Sequence, residues 1–373
     1  MPRRTQALVV QHVSAPAVLA DIDLAEPRPN EVLVRITACG LCHTDHLVQH
    51  GGIPSAFPSI FGHEGAGEVE AVGSAVKRVQ KGDSVLLSYA TCGECPYCTA
   101  DRPAGCARFF EKNFGRARDA AVGDEPVARA VETGEPVYGS FFGQSAFARH
   151  AVVSESSVVK VPQGTDLVQL APLGCGLQSG AGVLLNQLKP SREDSVIIFG
   201  LGAVGFGALW AAAHLQLRTI IVVDLVSTRL DLALAQGATH AFSGASPTLL
   251  ADIRAATSGI GARFAIEATG VERVLKSAWD AVCNFGHVVS VGNPGPGVKA
   301  PFDINDHVNQ SKTWSGLVEG ASNPPIFIPQ LMQLYEQGAF PVDTISRVYP
   351  VEQYEEALAA MKSGELIKPI ITF

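Results

Sequence analysis

The sequence lacks an excess of positive charge, and it contains no internal repeat or low-complexity segment. Its 373 residues include 28 Lys and Arg against 36 Asp and Glu, which gives a formal net charge of -8. Nucleic-acid binding requires clustered Lys and Arg to neutralise phosphates and release counterions. The acidic balance therefore argues against a nucleic-acid partner.

Long hydrophobic runs are also missing near the start of the chain. The basic residues of the stretch MPRR are followed by an apolar segment that Gln11 and His12 interrupt. This segment is neither a signal-peptide core nor long enough to span a bilayer. We therefore expect a soluble, cytoplasmic protein without a membrane partner.

Apolar residues, glycine and cysteine are plentiful. Apolar residues make up 47% of the chain and 37 residues are glycine, which is typical of a globular α/β protein. The length favours two domains. In an intracellular chain, eight cysteines indicate metal binding or catalysis more than disulfides.

The chain has two regions with different sequence patterns. From Ala7 to about Pro162, short β-type runs such as 31–36 and 83–87 alternate with Gly and Pro and predict a mostly β lobe. Residues 113–137 have neither helix nor strand period and predict a long surface excursion. From about Leu167 to Trp314, strands alternate with helices, which predicts a parallel doubly wound sheet. The strands are expected at 195–199, 219–223, 263–267 and 287–291, and helices at 203–215 and 228–236.

A dinucleotide-binding fingerprint lies in this second region. Gly200, Gly202 and Gly205 form G-x-G-x-x-G directly after a predicted strand, where a helix N-terminus would face a pyrophosphate. Asp224 ends the next strand about 20 residues on, where a carboxylate would bind the adenosine ribose. Asp224 predicts NAD over NADP because it would repel a 2′-phosphate, although Arg229 could soften this. The alternative is a glycine-rich turn in another kind of α/β sheet.

Four cysteines form a dense loop in the first region. Cys92, Cys95, Cys98 and Cys106 have the spacing C-x2-C-x2-C-x7-C, which suits a closed tetrahedral zinc site. Disulfides are disfavoured in a reducing compartment, and ferredoxin-type iron–sulfur spacings differ. A nucleic-acid-binding ribbon is unfavourable because Arg102 is the one basic residue within 92–106. The loop therefore predicts a structural metal site.

The stretch ACGLCHTDHL, residues 38–47, combines Cys39, Cys42, His43 and His46. By itself it is compatible with a redox dithiol, a four-ligand metal knot, or one ligand among bystanders. The stretches GHEGAG (62–67) and PLGCG (172–176) each contain one further candidate ligand, and each alone is a weak signal.

Together these motifs resemble zinc-dependent medium-chain alcohol dehydrogenases. The motifs GLCHTD, GHEGAGEVE, the four-cysteine loop, PLGCGLQSGAG, GLGAVG and the final IKPIITF occur in that family's order, and the resemblance covers essentially the whole chain. GCGLQSGAG, NFG (113–115) and FFGQS (141–145) look closest to the aryl and allylic branch, which includes benzyl alcohol and geraniol dehydrogenases.

The resemblance implies a domain layout and an assembly. A mostly β, GroES-like catalytic domain would span 1–176, with a structural zinc in loop 92–106. A Rossmann NAD-binding domain would span 177–315, and residues 316–373 would return to the catalytic domain. Two zinc ions per subunit and a homodimer or homotetramer are expected.

The resemblance also assigns the catalytic metal site. Cys42, His63 and Cys175 would hold the catalytic zinc, with one position open for substrate. Asp45 would orient the histidine ligand, and Glu64 would approach the metal during ligand exchange. Cys39 is then a buried bystander.

The implied reaction is reversible oxidation of an alcohol with hydride transfer to NAD. Zinc would act as a Lewis acid toward the alcohol, and Thr44 would receive its proton. Family members often place a relay histidine where this chain has Leu47, so the relay is missing, shortened through water, or replaced. His46, one position earlier, is the candidate replacement, and otherwise it is a surface or hydrogen-bonded histidine. His43 and Lys368 match positions that touch the cofactor pyrophosphate.

The resemblance also places the substrate pocket and leaves alternatives. Apolar walls favour a bulky primary alcohol, aromatic or allylic, unless the phenylalanines are ordinary core. A glutathione-linked formaldehyde dehydrogenase, a polyol dehydrogenase and a non-catalytic zinc-stabilised binding or redox-sensing protein remain as alternatives. The expected pocket residues are Leu47, Ser88, Phe141, Phe142, Asn293 and Val318.

Overall fold

The computed structural model describes residues 3–114, 118 and 125–373. The chain divides into two compact units. The first contains Met1–Cys175, Asn323–Gln333 and Pro341–Phe373, and the second contains Gly176–Ser322 and Leu334–Phe340.

The elements follow one another in chain order. The strands are β1 (Arg3–Val10), β2 (Ala17–Leu24), β3 (Glu31–Gly40), β4 (Ser59–Ile60), β5 (Gly65–Val72), β6 (Ser84–Leu87), β7 (Ala128–Ala130), β8 (Pro136–Val137), β9 (His150–Ser154), β10 (Val158–Val161), β11 (Ser195–Phe199), β12 (Thr219–Asp224), β13 (His240–Ser243), β14 (Ala262–Glu267), β15 (Val282–Ser290), β16 (Thr313–Gly316), β17 (Ser346–Pro350) and β18 (Lys368–Thr372). The α-helices are α1 (His43–Gln49), α2 (Pro96–Thr99), α3 (Phe109–Phe114), α4 (Leu167–Leu170), α5 (Gly176–Gly182), α6 (Ala203–His214), α7 (Ser227–Ala235), α8 (Leu249–Ala256), α9 (Glu272–Ala281), α10 (Ile304–Gln310), α11 (Pro324–Glu336) and α12 (Tyr354–Ser363).

Two sheets build the first unit, which confirms the mostly β prediction. One sheet has the order β4-β1-β2-β7-β8, and the other has the order β10-β6-β5-β3-β18-β17 with β9 also paired to β3. The long strand β3 is nearly continuously buried, and only Arg35 is exposed. This pattern is expected of a central strand that is covered on both faces. Its last residues lead directly into the metal-ligand stretch.

The prediction of an irregular excursion over 113–137 was wrong in part. Residues 113 and 114 end helix α3, β7 pairs with β2, and β8 pairs with β7. These strands are only three and two residues long, too short for a period to be visible in the sequence. Residues 115–117 and 119–124, including Gly115 of the NFG motif, lie outside the described part.

The second unit contains a parallel sheet with the order β13-β12-β11-β14-β15-β16. Numbered from its own first strand, this is the order 3-2-1-4-5-6 of the Rossmann fold, as the βαβ rhythm predicted. Strands β11 and β12 are nearly continuous apolar runs because helices cover both faces of such sheets. Turns that follow the strands meet at the carboxyl edge, where this fold binds its ligands.

The end of the chain completes the second sheet of the first unit. Strand β18 lies between β3, to which it is antiparallel, and β17, to which it is parallel. This pairing brings Lys368, the first residue of β18, next to the stretch that follows β3.

Among the described helices, no single one is long and apolar enough to cross a membrane. Two consecutive helical segments, Leu167–Gly174 and Gly176–Leu188, reach that length and composition when they are taken together across a sharp bend.

Candidate metal centre and nucleotide site

Helix α1 begins at the candidate metal centre, and one carboxylate defines its start. Cys42 has extended backbone angles and caps the helix, and the Asp45 side chain accepts a hydrogen bond from the Cys42 N–H at 3.1 Å. The other Asp45 oxygen accepts from the Gly62 N–H at 3.0 Å and from His63 Nδ1 at 2.9 Å. Asp45 is 1% exposed, so these bonds are shielded from water. The capping carboxylate therefore ties α1 to the turn that carries His63.

His63 is presented as a metal ligand would be. Because Nδ1–H donates to Asp45, the lone pair of the neutral imidazole is on Nε2. Nε2 is buried and has no hydrogen-bond partner among the described residues. Burial lowers the pKa of His63, but Asp45 and Cys42 raise it more, so that the pKa lies well above its ordinary value. A buried ring nitrogen without a hydrogen-bond partner, beside groups that favour positive charge, indicates that a proton or a metal cation belongs there.

Two cysteines and a second carboxylate surround this nitrogen. Donor atoms of Cys42, His63, Glu64 and Cys175 all lie within 4.8 Å of one another. A hydrogen bond from Cys175 lowers the pKa of Cys42 well below its ordinary value, burial opposes this, and the charge of His63 adds to it. Two sulfurs and one imidazole are ligands that zinc prefers. The donor set therefore fits zinc.

Glu64 is also held from behind by a lysine. Lys368 Nζ donates to the Glu64 carboxylate at 2.9 and 3.0 Å and to the Leu41 carbonyl at 3.0 Å. Lys368 is 2% exposed and Glu64 is fully buried. Burial lowers the pKa of Lys368, but Glu64, Cys42 and Cys175 together outweigh it and the pKa is raised. A Cβ at Gly40 would lie 2.0 Å from Glu64 Oε2, so only glycine allows this approach.

The remaining predicted residues of α1 have distinct surroundings. Thr44 Oγ1 lies 3.8 Å from Cys42 Sγ, beside the metal centre. His43 is exposed at the first helical position, and Leu47 packs against the core of the first unit. The ring of His46 lies 4.0 Å from that of His50, centroid to centroid, and 6.0 Å from that of His43. Cys39 is fully buried in the core, outside the ligand group.

The predicted pocket residues lie in both units. The Phe142 ring stacks on His63 with centroids 4.5 Å apart, and Phe141 meets the same imidazole edge-on at 5.2 Å. Ser88 is fully buried, and its hydroxyl donates to the Gly174 carbonyl at 2.7 Å, next to Cys175. Asn293 and Val318 belong to the second unit, and both are exposed there.

The four-cysteine loop brings its sulfurs together. Cys95 and Cys98 are 3.5 Å apart, Cys92 and Cys106 are 3.5 Å apart, and Cys92 and Cys98 are 3.9 Å apart, between Sγ atoms. Tetrahedral thiolates at the usual zinc–sulfur distance would be about 3.8 Å apart. The Ala107 N–H, with help from Cys98, lowers the pKa of Cys95 to about 6. The loop can therefore hold a zinc ion with no position open to substrate.

The glycine-rich turn of the second unit has the geometry that its motif predicts. Gly200 has a positive φ of 90°, and a Cβ at Gly205 would lie 1.9 Å from the Gly200 carbonyl. A Cβ at Gly202 would meet nothing within 4 Å, and Gly202 caps α6. The N-terminus of this twelve-residue helix is therefore open to an anion.

Asp224 lies at the end of β12, beside this turn. Its carboxylate accepts from the Leu201 N–H at 2.6 Å and from the Val226 N–H at 2.9 Å. Asp224 lines a cavity of about 370 Å³ together with Gly200, Arg229, Thr269 and Arg273. The cavity lies at the carboxyl edge of the sheet, where this fold binds the adenosine half of a dinucleotide.

Sequence reasoning missed two buried polar residues that shape these sites. Gln144 is fully buried and bonds to the main chain on both sides of Glu64. Glu267 is fully buried at the end of β14 and accepts from the N–H of Thr269, which lines the nucleotide cavity, and from the N–H of Gly270. Gln144 lies within the FFGQS motif, but the motif by itself does not show which backbone groups its amide would meet, and Glu267 belongs to none of the motifs.

Known proteins resemble this chain over its full length. Residues 28–163 match the family described as alcohol dehydrogenase GroES-like domain, and residues 203–337 match zinc-binding dehydrogenase. A geraniol dehydrogenase from Castellaniella defragrans is 39% identical over 99% of this chain and 97% of its own. The crystal structure of a benzyl alcohol dehydrogenase from Acinetobacter calcoaceticus is 38% identical with a TM-score of 0.92, and covers 100% of this chain and 99% of its own. An alcohol dehydrogenase zinc-binding domain protein from Burkholderia ambifaria is 43% identical with a TM-score of 0.95, and covers both chains completely. The chain belongs to the zinc-dependent medium-chain alcohol dehydrogenases, in the branch that includes benzyl alcohol and geraniol dehydrogenases.

Proposed function

We propose that this alcohol dehydrogenase oxidises a bulky primary alcohol, aromatic or allylic, to its aldehyde, reversibly and with NAD as hydride acceptor. In this proposal Cys42, His63 and Cys175 hold a catalytic zinc, and the four-cysteine loop holds a structural zinc. The observation that carries it is the buried Nε2 of His63, which lacks a hydrogen-bond partner in the described structure and lies with the two thiols within 4.8 Å.

The bound groups would supply the reactive chemistry, and the chain would supply orientation and proton handling. Zinc at this site would act as a Lewis acid that lowers the pKa of the alcohol, and the nicotinamide would accept the hydride. Asp45 keeps the proton of His63 on Nδ1, so that Nε2 faces the ligand group. Lys368 balances the charge of Glu64 behind the site.

Thr44 is the residue we propose as first acceptor of the alcohol proton. Its hydroxyl lies 3.8 Å from Cys42 Sγ, so it borders the ligand group without belonging to it. A hydroxyl can accept one proton while it donates its own, which suits it to pass a proton between two partners. The proposal does not require His46, whose ring lies against His50.

The choice of NAD rests on Asp224. Two backbone N–H groups hold its carboxylate at the edge of the nucleotide cavity, where it can accept from ribose hydroxyls and would repel a 2′-phosphate. Arg229 and Arg273 line the same cavity and would weaken that repulsion. We therefore expect a preference for NAD and measurable turnover with NADP.

The choice of substrate class rests on the aromatic residues around His63. Phe141 and Phe142 contact its ring, and Phe114 contacts both of them at centroid distances of 5.9 and 5.2 Å. Aromatic pairs contribute about 0.5–1.5 kcal/mol beyond area burial, which favours a benzylic ring. A long allylic alcohol gains over a short chain because it buries more apolar surface. The names of the similar proteins, geraniol and benzyl alcohol dehydrogenase, support the same class.

A steady-state panel tests the proposal. Benzyl alcohol, geraniol, hexanol, ethanol and sorbitol are compared by kcat/KM with NAD and with NADP, and zinc per chain is measured on the same preparation. We expect the highest values for benzyl alcohol or geraniol with NAD, and two zinc ions per chain.

Other outcomes point to specific alternatives. Sorbitol as the best substrate would indicate a polyol dehydrogenase. Formaldehyde is assayed in addition, with and without glutathione, and turnover only with glutathione would indicate the glutathione-linked enzyme. One zinc ion per chain without turnover would indicate the non-catalytic zinc-stabilised binding or redox-sensing protein. In the variant Asp224→Ser, we expect the ratio of kcat/KM for NADP over NAD to rise at least tenfold.

A further inference from the structure

The segment Ser140–Ser145, with sequence SFFGQS, is strained. Ser140, Phe142 and Ser145 have φ angles of 61°, 54° and 53°, in the left-handed region that non-glycine residues rarely adopt. A side chain is crowded by its own backbone in this region, so each such residue destabilises the fold unless other contacts compensate. Three of them within six positions indicate that surrounding contacts impose this conformation.

Serine hydroxyls hold the segment in place. Ser145 Oγ accepts from the Phe141 N–H at 3.0 Å and donates to the Ile60 carbonyl at 2.7 Å. Ser157 Oγ donates to the Phe142 carbonyl at 3.0 Å. The result is a fixed backbone that presses the Phe142 ring onto the face of His63 and the Phe141 ring onto its edge.

Gln144 secures the backbone around the same histidine. Its Nε2 donates to the His63 carbonyl at 2.7 Å and to the Ser88 carbonyl at 2.9 Å. Its Oε1 accepts from the Gly65 N–H at 3.0 Å. The amide thus bonds to the main chain on both sides of Glu64, and Gln144 is fully buried, so no water can replace these bonds.

The third partner of Gln144 extends this network toward Cys175. Ser88, whose carbonyl accepts from Gln144, donates its own hydroxyl to the Gly174 carbonyl at 2.7 Å. Gly174 directly precedes Cys175 in the chain. One side-chain amide therefore connects the backbone at His63 with the backbone that presents Cys175.

We propose that Gln144 is a positioning residue for the metal centre, whose amide fixes the backbone of His63 and, through Ser88, that of Cys175. The inference rests on the proposed function, because it requires that this site binds zinc. Residues that orient metal ligands typically change metal affinity 10- to 100-fold when replaced. Asp45 fixes the ring of His63, whereas Gln144 fixes its main chain.

The test compares Gln144→Met with Gln49→Met in the full-length, zinc-loaded protein. Gln49 is a matched control because it is 4% exposed in the same unit and donates its amide to the Ala15 carbonyl at 2.7 Å. Zinc release to excess chelator is followed with a colorimetric indicator. We expect one zinc equivalent to leave Gln144→Met at least tenfold faster than it leaves the unaltered protein, while the other equivalent and both equivalents of Gln49→Met keep their rates.

A thermal measurement separates positioning from general stability. Zinc stabilises the folded state by mass action, so a site that binds zinc with lower affinity gives a smaller rise in Tm when zinc is added to the metal-free protein. We expect a smaller zinc-induced rise in Gln144→Met than in Gln49→Met. Equal rises, or unchanged zinc release from a folded Gln144→Met, would overturn the proposal.

A second variant keeps the proposal testable if Gln144→Met does not fold. Gln144→Glu keeps the acceptor for the Gly65 N–H and loses the donors to His63 and Ser88, so the same faster release is expected. If neither variant folds while Gln49→Met does, Gln144 serves the fold and the proposal fails. Fewer than two zinc ions in the unaltered protein would refute the proposed function instead, before any variant is compared.

Discussion

At the scale of single residues, the carboxylate of Asp45 connects the start of a helix to the orientation of a candidate ligand. Its oxygens accept from the Cys42 N–H, the Gly62 N–H and His63 Nδ1, and the residue is buried. The sequence predicted an orienting role for Asp45 through the family resemblance. The capping role depends on the backbone of Cys42 and became visible only in the fold.

Replacement of Asp45 should remove one metal ion selectively. In Asp45→Asn, an amide nitrogen can face the His63 N–H and leave it unpaired, so the ring loses its fixed orientation. We expect zinc per chain to fall from two to one, with zinc affinity at the His63 site reduced 10- to 100-fold. Atomic emission spectroscopy on the purified protein measures this.

Asp166→Asn is the matched control for the loss of a capping carboxylate. Asp166 caps α4 in the same unit by accepting from the N–H groups of Val168 and Gln169. This variant should keep both zinc ions. Retention of both by Asp45→Asn as well would show that the carboxylate is not needed to orient His63.

His46 should make the protein sensitive to acid. Burial, followed by the charges of His50, Lys362 and His43, lowers the pKa of His46 from 6.5 to about 4. The unfolded chain therefore binds a proton near pH 6.5 that the folded chain does not bind until about pH 4. This contribution to stability is complete above pH 6.5 and is lost as the pH falls toward 4.

Urea unfolding measures that sensitivity. Between pH 7 and pH 4.5, the urea midpoint of His46→Gln should fall less than that of the unaltered protein, because the variant has no group at this position to protonate. His12→Gln removes an exposed histidine of the same unit and should behave like the unaltered protein. Equal falls for all three proteins would contradict the assignment.

The same histidine should be dispensable for proton transfer. A group with a pKa of about 4 is a weak base at neutral pH, and its ring lies against His50. We expect His46→Ala to leave the pH profile of kcat/KM for alcohol oxidation unchanged between pH 6 and 10. A shift of its acid limb by half a pH unit or more would place His46 in the relay.

At the scale of secondary-structure elements, the βαβ pattern made the second unit predictable. Strands at 195–199 and 219–223 and the helix from residue 203 were predicted from apolar runs, and the structure has them within one residue. Parallel strands buried on both faces leave a strong local signal. The short strands β7 and β8 left none, because two or three residues cannot display a period.

Two alanine substitutions in the glycine-rich turn should separate stability from cofactor binding. A Cβ at Gly202 meets nothing within 4 Å and would project from the open helix N-terminus, whereas a Cβ at Gly205 would collide with the Gly200 carbonyl. We expect Gly202→Ala to weaken NADH binding at least tenfold with little change in Tm. Gly205→Ala should lower Tm by several degrees.

Fluorescence titration with NADH and thermal unfolding provide the two measurements. Unchanged NADH affinity in Gly202→Ala would argue against a pyrophosphate at this helix N-terminus. An unchanged Tm in Gly205→Ala would argue against the tight turn.

At the scale of the whole molecule, the tryptophans, whose fluorescence follows unfolding, and the candidate metal sites lie in different units. All three tryptophans, Trp210, Trp279 and Trp314, belong to the second unit. Both cysteine-containing ligand groups belong to the first. Metal removal and cofactor binding can therefore be followed separately.

Chelation should destabilise one unit more than the other. In the presence of a strong chelator, we expect the urea midpoint from far-UV circular dichroism to fall more than the midpoint from tryptophan fluorescence, because both candidate zinc sites lie in the first unit. NADH should instead raise the tryptophan midpoint. Equal shifts of both signals would mean that the two units unfold as one.

The sequence by itself determined the α/β class, the Rossmann pattern and the family. These follow from hydrophobic period, from glycines at fixed spacing and from ordered motifs, which are properties of neighbouring residues. It also named Cys42, His63 and Cys175 as candidate ligands, and the fold brings their donor atoms within 4.8 Å.

Only the tertiary structure decided which side chains support those ligands. Gln144 and His63 are 81 positions apart, and Lys368 and Glu64 are 304 apart, so no local pattern relates them. Their hydrogen bonds form because β18 pairs beside β3 and because the strained turn at Ser140–Ser145 packs on His63. Long-range pairing of this kind depends on how the strands are ordered in a sheet, which the spacing of residues along the chain does not specify.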